Sequence, residues 1–168
     1  PENIGGWAKY SSNTFIGVCR AINAWSGLDG TNRFGIGTEK KLYIETGTSY
    51  YDVTPIRASS TINNNPFAIS SGSTTVTVTD TGHGAVAGDF VTFSGTASTG
   101  DSALTAAVLN AEYIIDSVTD ANTYVITATA ASASVSGSKG GASVVAAYQI
   151  NVGLNTVVFG TGWGVDTY

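Results

Sequence analysis

The sequence predicts an all-β protein, and three observations carry that reading. Charged residues make up only 11% of the chain, under half the usual share of about 25%. Polarity comes instead from Thr, Ser and Asn, punctuated by 21 glycines, a mixture that suits pleated strands joined by tight turns. The runs of Glu, Lys, Leu and Met from which long helices are built are missing, and Met is absent altogether. With 42% hydrophobic residues, the chain is long and apolar enough to bury a core without disulfides, and disorder is not expected.

Strands come at regular spacing from the start. Phe15–Trp25 is apolar and β-rich and ends at the turn Ser26-Gly27-Leu28-Asp29-Gly30. Asn32–Gly37 follows as a second strand. Lys41–Thr46 is a third, with Leu42 and Ile44 on one face and Tyr43 on the other. Gly47-Thr48-Ser49 turns the chain into Tyr50–Thr54, which Pro55 closes. Four such strands form an antiparallel meander, the unit of propeller blades, which cannot bury both its faces alone.

The stretch from Arg57 to Ser73 is rich in Ser, Asn and turn formers and reads as a linker. Strict Thr/Val alternation over Thr74–Thr79 then marks a half-buried strand. Asp89–Ser94 is the next, Leu104–Asn110 allows one or two helical turns, and Glu112–Val118 pairs back with Thr123–Ala128 through Asp120-Ala121-Asn122. Ala130–Gly141 is Ala/Ser/Gly-rich and reads as a mobile loop or hairpin tip. Ser143–Val152 is the final strand, and Gly160-Thr161-Gly162-Trp163-Gly164 returns to a different texture. These boundaries give a propeller-like body of residues 1–57 and 151–168, a linker of residues 58–73, and an inserted small β-barrel or sandwich of residues 74–150.

Charge separates the two parts. Residues 1–57 carry six basic and five acidic side chains, a net of +1, whereas residues 58–168 carry Lys139 against seven acids, a net of −6. Neither is a basic nucleic-acid patch, although DNA could pass such a wall without being held by it. No stretch approaches the roughly 18 apolar residues of a membrane span. Cys19 is the single cysteine, so no internal disulfide forms, and its apolar flanks make it a core thiol. Pro1 in first position and the lack of Met read as a segment of a longer polypeptide.

No constellation for catalysis emerges. His83 is the sole histidine, and Gly82-His83-Gly84 reads as a turn. Ser136 and Lys139 match a Ser-x-x-Lys spacing, but that spacing needs a helix and this stretch is glycine-rich. The run Gly160-x-Gly162-x-Gly164 lacks dinucleotide-loop spacing. Asp116 and Asp120 are a conceivable carboxylate pair, yet Asp120 is placed to cap the Asp-Ala-Asn turn. A calcium loop would need more oxygen ligands. Trp7, Tyr10, Trp25, Tyr43, Tyr50 and Tyr51 suit core and subunit contacts better than a sugar-stacking platform. No catalytic, cofactor-binding or metal residue is assigned, and no cofactor is expected.

Two stretches resemble known proteins. Gly5 to Ile56 is similar to the N-terminal region of bacteriophage tail nozzle and related virion proteins, in the pieces Gly5-Gly6-Trp7, Trp25, Ile36–Tyr43 and Asp52–Ile56. The run TVTVTDTGHGAVAGDFVTFSG, with LTAAVLNAEYIIDSVTDANTYVITA after it, resembles a small β-domain inserted into many phage structural proteins, and the terminal GTGWG resembles the continuation of such chains. The resemblance implies a non-enzymatic virion component, a propeller-like body with an inserted barrel. It would assemble as a homo-oligomeric ring at the tail or neck, lining part of the DNA passage and contacting neighbouring tail and adaptor proteins. Assembly in the host bacterial cytoplasm fits an unpaired cysteine. Residue chemistry alone leaves a receptor- or glycan-binding tail-fibre domain as the alternative.

Overall fold

The computed structural model describes residues 11–62 and 64–150. Gly5-Gly6-Trp7, Tyr10 and the Gly160–Tyr168 run lie outside the described residues. The chain divides into two compact units, Pro1–Pro55 and Ile56–Tyr168, and both are antiparallel β structures.

In the first unit, β1 (Cys19–Ser26), β2 (Asn32–Thr38), β3 (Leu42–Thr46) and β4 (Ser49–Asp52) form a four-stranded meander in the order β1-β2-β3-β4. Thr46 faces Ser49, so Gly47 and Thr48 are a two-residue hairpin loop. Both have positive φ, 57° and 71°, the requirement of the turn whose twist matches the strands. A β-branched residue is costly in that region. Thr48 is held there by its N–H on Glu45 Oε1 and by its carbonyl, which accepts from Ser11 Oγ and Asn13 Nδ2 at 2.9 Å each.

The register sorts the side chains as the alternation predicts. Ile22, Ile36 and Tyr43 share one face; Asn23, Gly35, Ile44 and Tyr51 share the other. Residues 11–18 are not strand. Phe15 packs on the first face, its ring 5.8 Å from Tyr43 and 5.1 Å from Tyr50, and the Ile16 N–H donates to Tyr43 Oη. Cys19 corrects the expected core thiol: it is exposed, because it opens an edge strand beside a register shift rather than lying in mid-sheet.

The second unit is one eight-stranded sheet ordered β11-β6-β7-β10-β9-β8-β12-β5. Its strands are β5 (Ile56–Thr61), β6 (Phe67–Ile69), β7 (Thr75–Thr79), β8 (Phe90–Ser94), β9 (Glu112–Asp120), β10 (Thr123–Thr127), β11 (Gly137–Lys139) and β12 (Val145–Gln149). Strand β9 binds β8 through Glu112–Ile114 and β10 through its later residues, with two register shifts against β10. Such shifts bend a strand and fold the sheet over its own core. A single turn of helix, α1 (Ala106–Leu109), is capped by Thr105 Oγ1 on the Val108 N–H.

Alternation drives the packing. Val76 and Val78 are fully buried while their Thr neighbours are not. They join Phe67, Phe93, Ile115 and Ile126 in the core, where the Phe67 and Phe93 rings meet edge-on at 5.0 Å. Gly95 permits the tightest approach: a Cβ there would lie 2.3 Å from the Ser143 carbonyl oxygen, so only glycine fits.

Three expectations are corrected here. The sheet is not a closed barrel, because closure would require its two end strands, β11 and β5, to pair, and they do not. The stretch 58–73 is not a linker, since it supplies most of β5 and all of β6. Strand β5 was illegible because its Ser and Thr residues lie on a fully exposed edge with no apolar alternation. The Ala130–Gly141 stretch contains β11 paired with β6, and its earlier half is pinned by a buried carboxylate described below.

Candidate functional site

His83 is buried at one end of the second sheet. Its Nδ1 accepts from the Ala85 N–H at 3.0 Å, and its Nε2 lies 3.1 Å from the Asp120 carbonyl oxygen. The accepting Nδ1 puts the ring proton on Nε2, which donates to that carbonyl. Both nitrogens are thereby committed to the backbone, and the ring stands edge-on to Tyr124 with centroids 5.0 Å apart. This joins the loop after β7 to the β9–β10 turn and offers no lone pair to a substrate. Replacing His83 by Ala is expected to cost the second unit about 1–3 kcal/mol, from two orphaned backbone groups, read as a lower thermal midpoint. An unchanged midpoint would contradict the assignment.

Beneath His83 runs a polar chain. Tyr124 Oη and Tyr148 Oη are 3.0 Å apart, and Tyr148 Oη donates to Asp80 Oδ2. Burial pushes both phenols well above the ordinary tyrosine range. The Arg57 guanidinium sits 5.1 Å over the Tyr148 ring, donates to the His83 carbonyl at 3.3 Å and approaches Asp89 Oδ2 at 3.9 Å. Asp89 also accepts the Val86 N–H. Packed this way, the group closes the loop between β7 and β8 over the core.

The other sequence candidates separate. Ser136 Oγ accepts the Ser71 N–H, and Lys139 lies in β11, where three extended residues span roughly 10 Å, too far for a Ser–Lys pair. Asp116 accepts from Thr127 Oγ1, while Asp120 caps its turn by accepting the Asn122 N–H at 2.7 Å; that bond draws Asp120 below the ordinary carboxylate range. Four residues apart on β9, they stand roughly 13 Å from each other. Among the described residues, no three His, Cys, Asp or Glu side chains gather as a metal site.

Asp101 is the residue that sequence reasoning missed. Its Oδ1 accepts the N–H groups of Ala103, Leu104 and Ala133, and its Oδ2 those of Ser134 and Val135 and the Ser132 hydroxyl. The N–H of Ala133 is the largest cause holding this carboxyl far below the ordinary range. One side chain thus ties two small-residue loops together.

In the first unit the corresponding device is an ion pair. Lys41 Nζ lies 2.5 Å from Asp52 Oδ2, with the lysine side chain 1% exposed and the aspartate 34%. Asp52 Oδ1 accepts from Thr54 N at 2.9 Å and Thr54 Oγ1 at 2.6 Å, and Thr54 Oγ1 accepts the Leu42 N–H. Burial pushes the Asp52 carboxyl upward, but the bonds from Lys41 and Thr54 outweigh it and leave it below its ordinary value. The Ile36–Tyr43 and Asp52–Ile56 pieces are therefore one interlocked closure of the meander.

The exposed aromatics lie on the opposite face. There Ala21, Trp25, Gly35, Gly37, Leu42 and Ile44 line a shallow concavity of about 340 Å³. The Trp25 ring covers Gly35, where a Cβ would stand 3.2 Å from it. Tyr51 shares this face and is exposed, whereas Tyr43 is buried on the other and Tyr50 half-buried there. The six aromatics expected to act alike thus divide: Tyr43 and Tyr50 pack internally, Trp25 and Tyr51 meet solvent, and Trp7 and Tyr10 lie outside the described residues.

No protein-family model matches the chain, and no curated protein matches it either. Among solved structures the phage phi92 endosialidase is similar at 20% identity and a TM-score of 0.46, over 80% of this chain. The chain spans 20% of the length of that structure. A likeness of this size leaves family and function to the chain's own residues.

Proposed function

We propose that this chain is a non-enzymatic structural component of a bacteriophage virion, in a nozzle-type ring of the tail or neck. The reading rests on the resemblance of Gly5–Ile56 to nozzle-type proteins, and one observation supports it most. The resembling pieces Ile36–Tyr43 and Asp52–Ile56 meet through Lys41, Asp52 and Thr54, so their residue types serve closure of a β unit. Polar side chains elsewhere are likewise spent on backbone groups, as at His83 and Asp101. In this proposal residues 1–57 and 151–168 belong to a propeller-like body. Copies assemble as a homo-oligomer beside neighbouring tail proteins, with DNA passing a wall that does not bind it.

A glycan-binding tail-fibre domain is the second reading, favoured by the exposed Trp25 and Tyr51. Quantitative mass spectrometry of purified particles, paired with a glycan-binding assay on the isolated chain, separates the two. A fixed copy number per particle and no glycan affinity are expected. Measurable glycan affinity that Trp25→Ala abolishes would overturn the structural reading in favour of the second.

A further inference from the structure

Strand β1 is the edge of its sheet, and all eight of its residues are exposed. Among the described residues it pairs only with β2. Exposed edges are ordinarily blunted by short length, charge, Pro or a bulge, and the other edges show these devices. Strand β4 has four residues, ends at Asp52 and runs into Pro55; β11 has three and carries Lys139; β5 carries Arg57. Strand β1 carries such devices only at its start, where Arg20 stands and the register shifts between Cys19 and Ala21. From Ala21 to Ser26 it is regular, uncharged and free of Pro.

The sequence of that edge is complementary to itself. In a twofold antiparallel pairing centred on Asn23, Ile22 faces Ala24 of the other copy, Trp25 faces Ala21, and Asn23 faces Asn23. Each large side chain opposes a small one, the two amides meet at the axis, and no charge is brought against its like. The pairs also keep to one face, since Ala21, Asn23 and Trp25 alternate with Ile22 and Ala24. From Ala21 to Ser26 this edge has no charge with which to select a foreign strand, whereas a second copy supplies the match in full and sets Arg20 against the neutral Ser26.

We propose that β1 pairs antiparallel with β1 of a second copy in this register, joining two four-stranded sheets into one of eight strands. The contact is isologous and closes on itself, and it does not depend on the virion reading. Six residues of edge bury less than the roughly 1,200–2,000 Å² of a standard interface, so the dimer forms reversibly, at about micromolar protein or above.

Sedimentation of the full chain from about 1 μM to about 1 mM should show a monomer–dimer equilibrium. Ile22→Lys with Ala24→Lys places like charges at both symmetry-related contacts and should weaken dimerisation at least roughly tenfold. Ile22→Lys with Ala24→Glu places opposite charges there and should restore it. Both positions are exposed, and matching thermal melts show that the variants fold. In a Cys19→Ser background, Asn23→Cys should form a disulfide between copies, and Ala24→Cys, on the other face, should not. A monomer throughout the range, or self-association that ignores both charge variants, would overturn the proposal.

Discussion

Replacing Asp101 with Ala is expected to lower the melting midpoint of the second unit more than any other single loop substitution in it. Six donors converge on this one carboxylate, the Leu104 N–H and the Ser132 hydroxyl buried and the other four partly so, and a buried donor left without an acceptor carries its own desolvation cost. Asp101→Asn should be nearly as damaging, because the amide exchanges an acceptor oxygen for two N–H donors that face other donors. The same carboxylate sets an acid limit. Its folded-state pKa is held far below the ordinary value, against about 3.9 in an unfolded chain. A depressed folded pKa gives stability that is complete above the unfolded value and is lost as pH falls below it, since the unfolded chain takes up the proton first. The melting midpoint should therefore fall on the acid side of about pH 4, and Asp101→Asn should flatten that limb. An acid limb as steep in the variant as in the parent chain would show that other carboxylates set it.

Asp52→Ala is the second large effect. It takes the carboxylate away from an ammonium that is 1% exposed. Breaking a fully buried pair costs about 3–5 kcal/mol. Asp52 keeps 34% of its side chain in solvent, and screening there reduces the expected loss to about 2–3 kcal/mol in urea unfolding of the first unit. Lys41→Met combined with Asp52→Leu should recover much of it, because removing both charges also removes their desolvation cost. A double variant less stable than Asp52→Ala would contradict the ion-pair explanation.

These two residues also mark where the sequence stops being readable. What was legible was local. The Thr/Val alternation of β7, the four strands of the first meander, the turn capped by Asp120 and the hairpin of β9 with β10 all follow from neighbours within a few residues. The Asp101 contacts do not, because Ala133, Ser134 and Val135 lie 32, 33 and 34 residues further on. Nothing in a small-residue loop says which carboxylate will gather it. Lys41 and Asp52 meet only once β3 and β4 are paired in register.

The misreadings have a common cause in sheet edges. Cys19 has core-like flanks but sits on β1, which no further strand among the described residues covers. Strand β5 has linker-like composition because its exposed edge needs no apolar face. The closed barrel failed for the same reason: strand count and spacing carry no signal for whether the end strands meet. Of the candidate site residues, spacing and turn chemistry read His83 and Asp120 as turn residues, and the hydrogen bonds of both go to backbone groups of turns.

Immunogold electron microscopy of particles whose genome encodes this chain tests the virion assignment most directly, using antibody raised against the second unit. Label confined to the tail or neck, at a constant number per particle, is the expected result. Particles that assemble, infect and carry no label would contradict it.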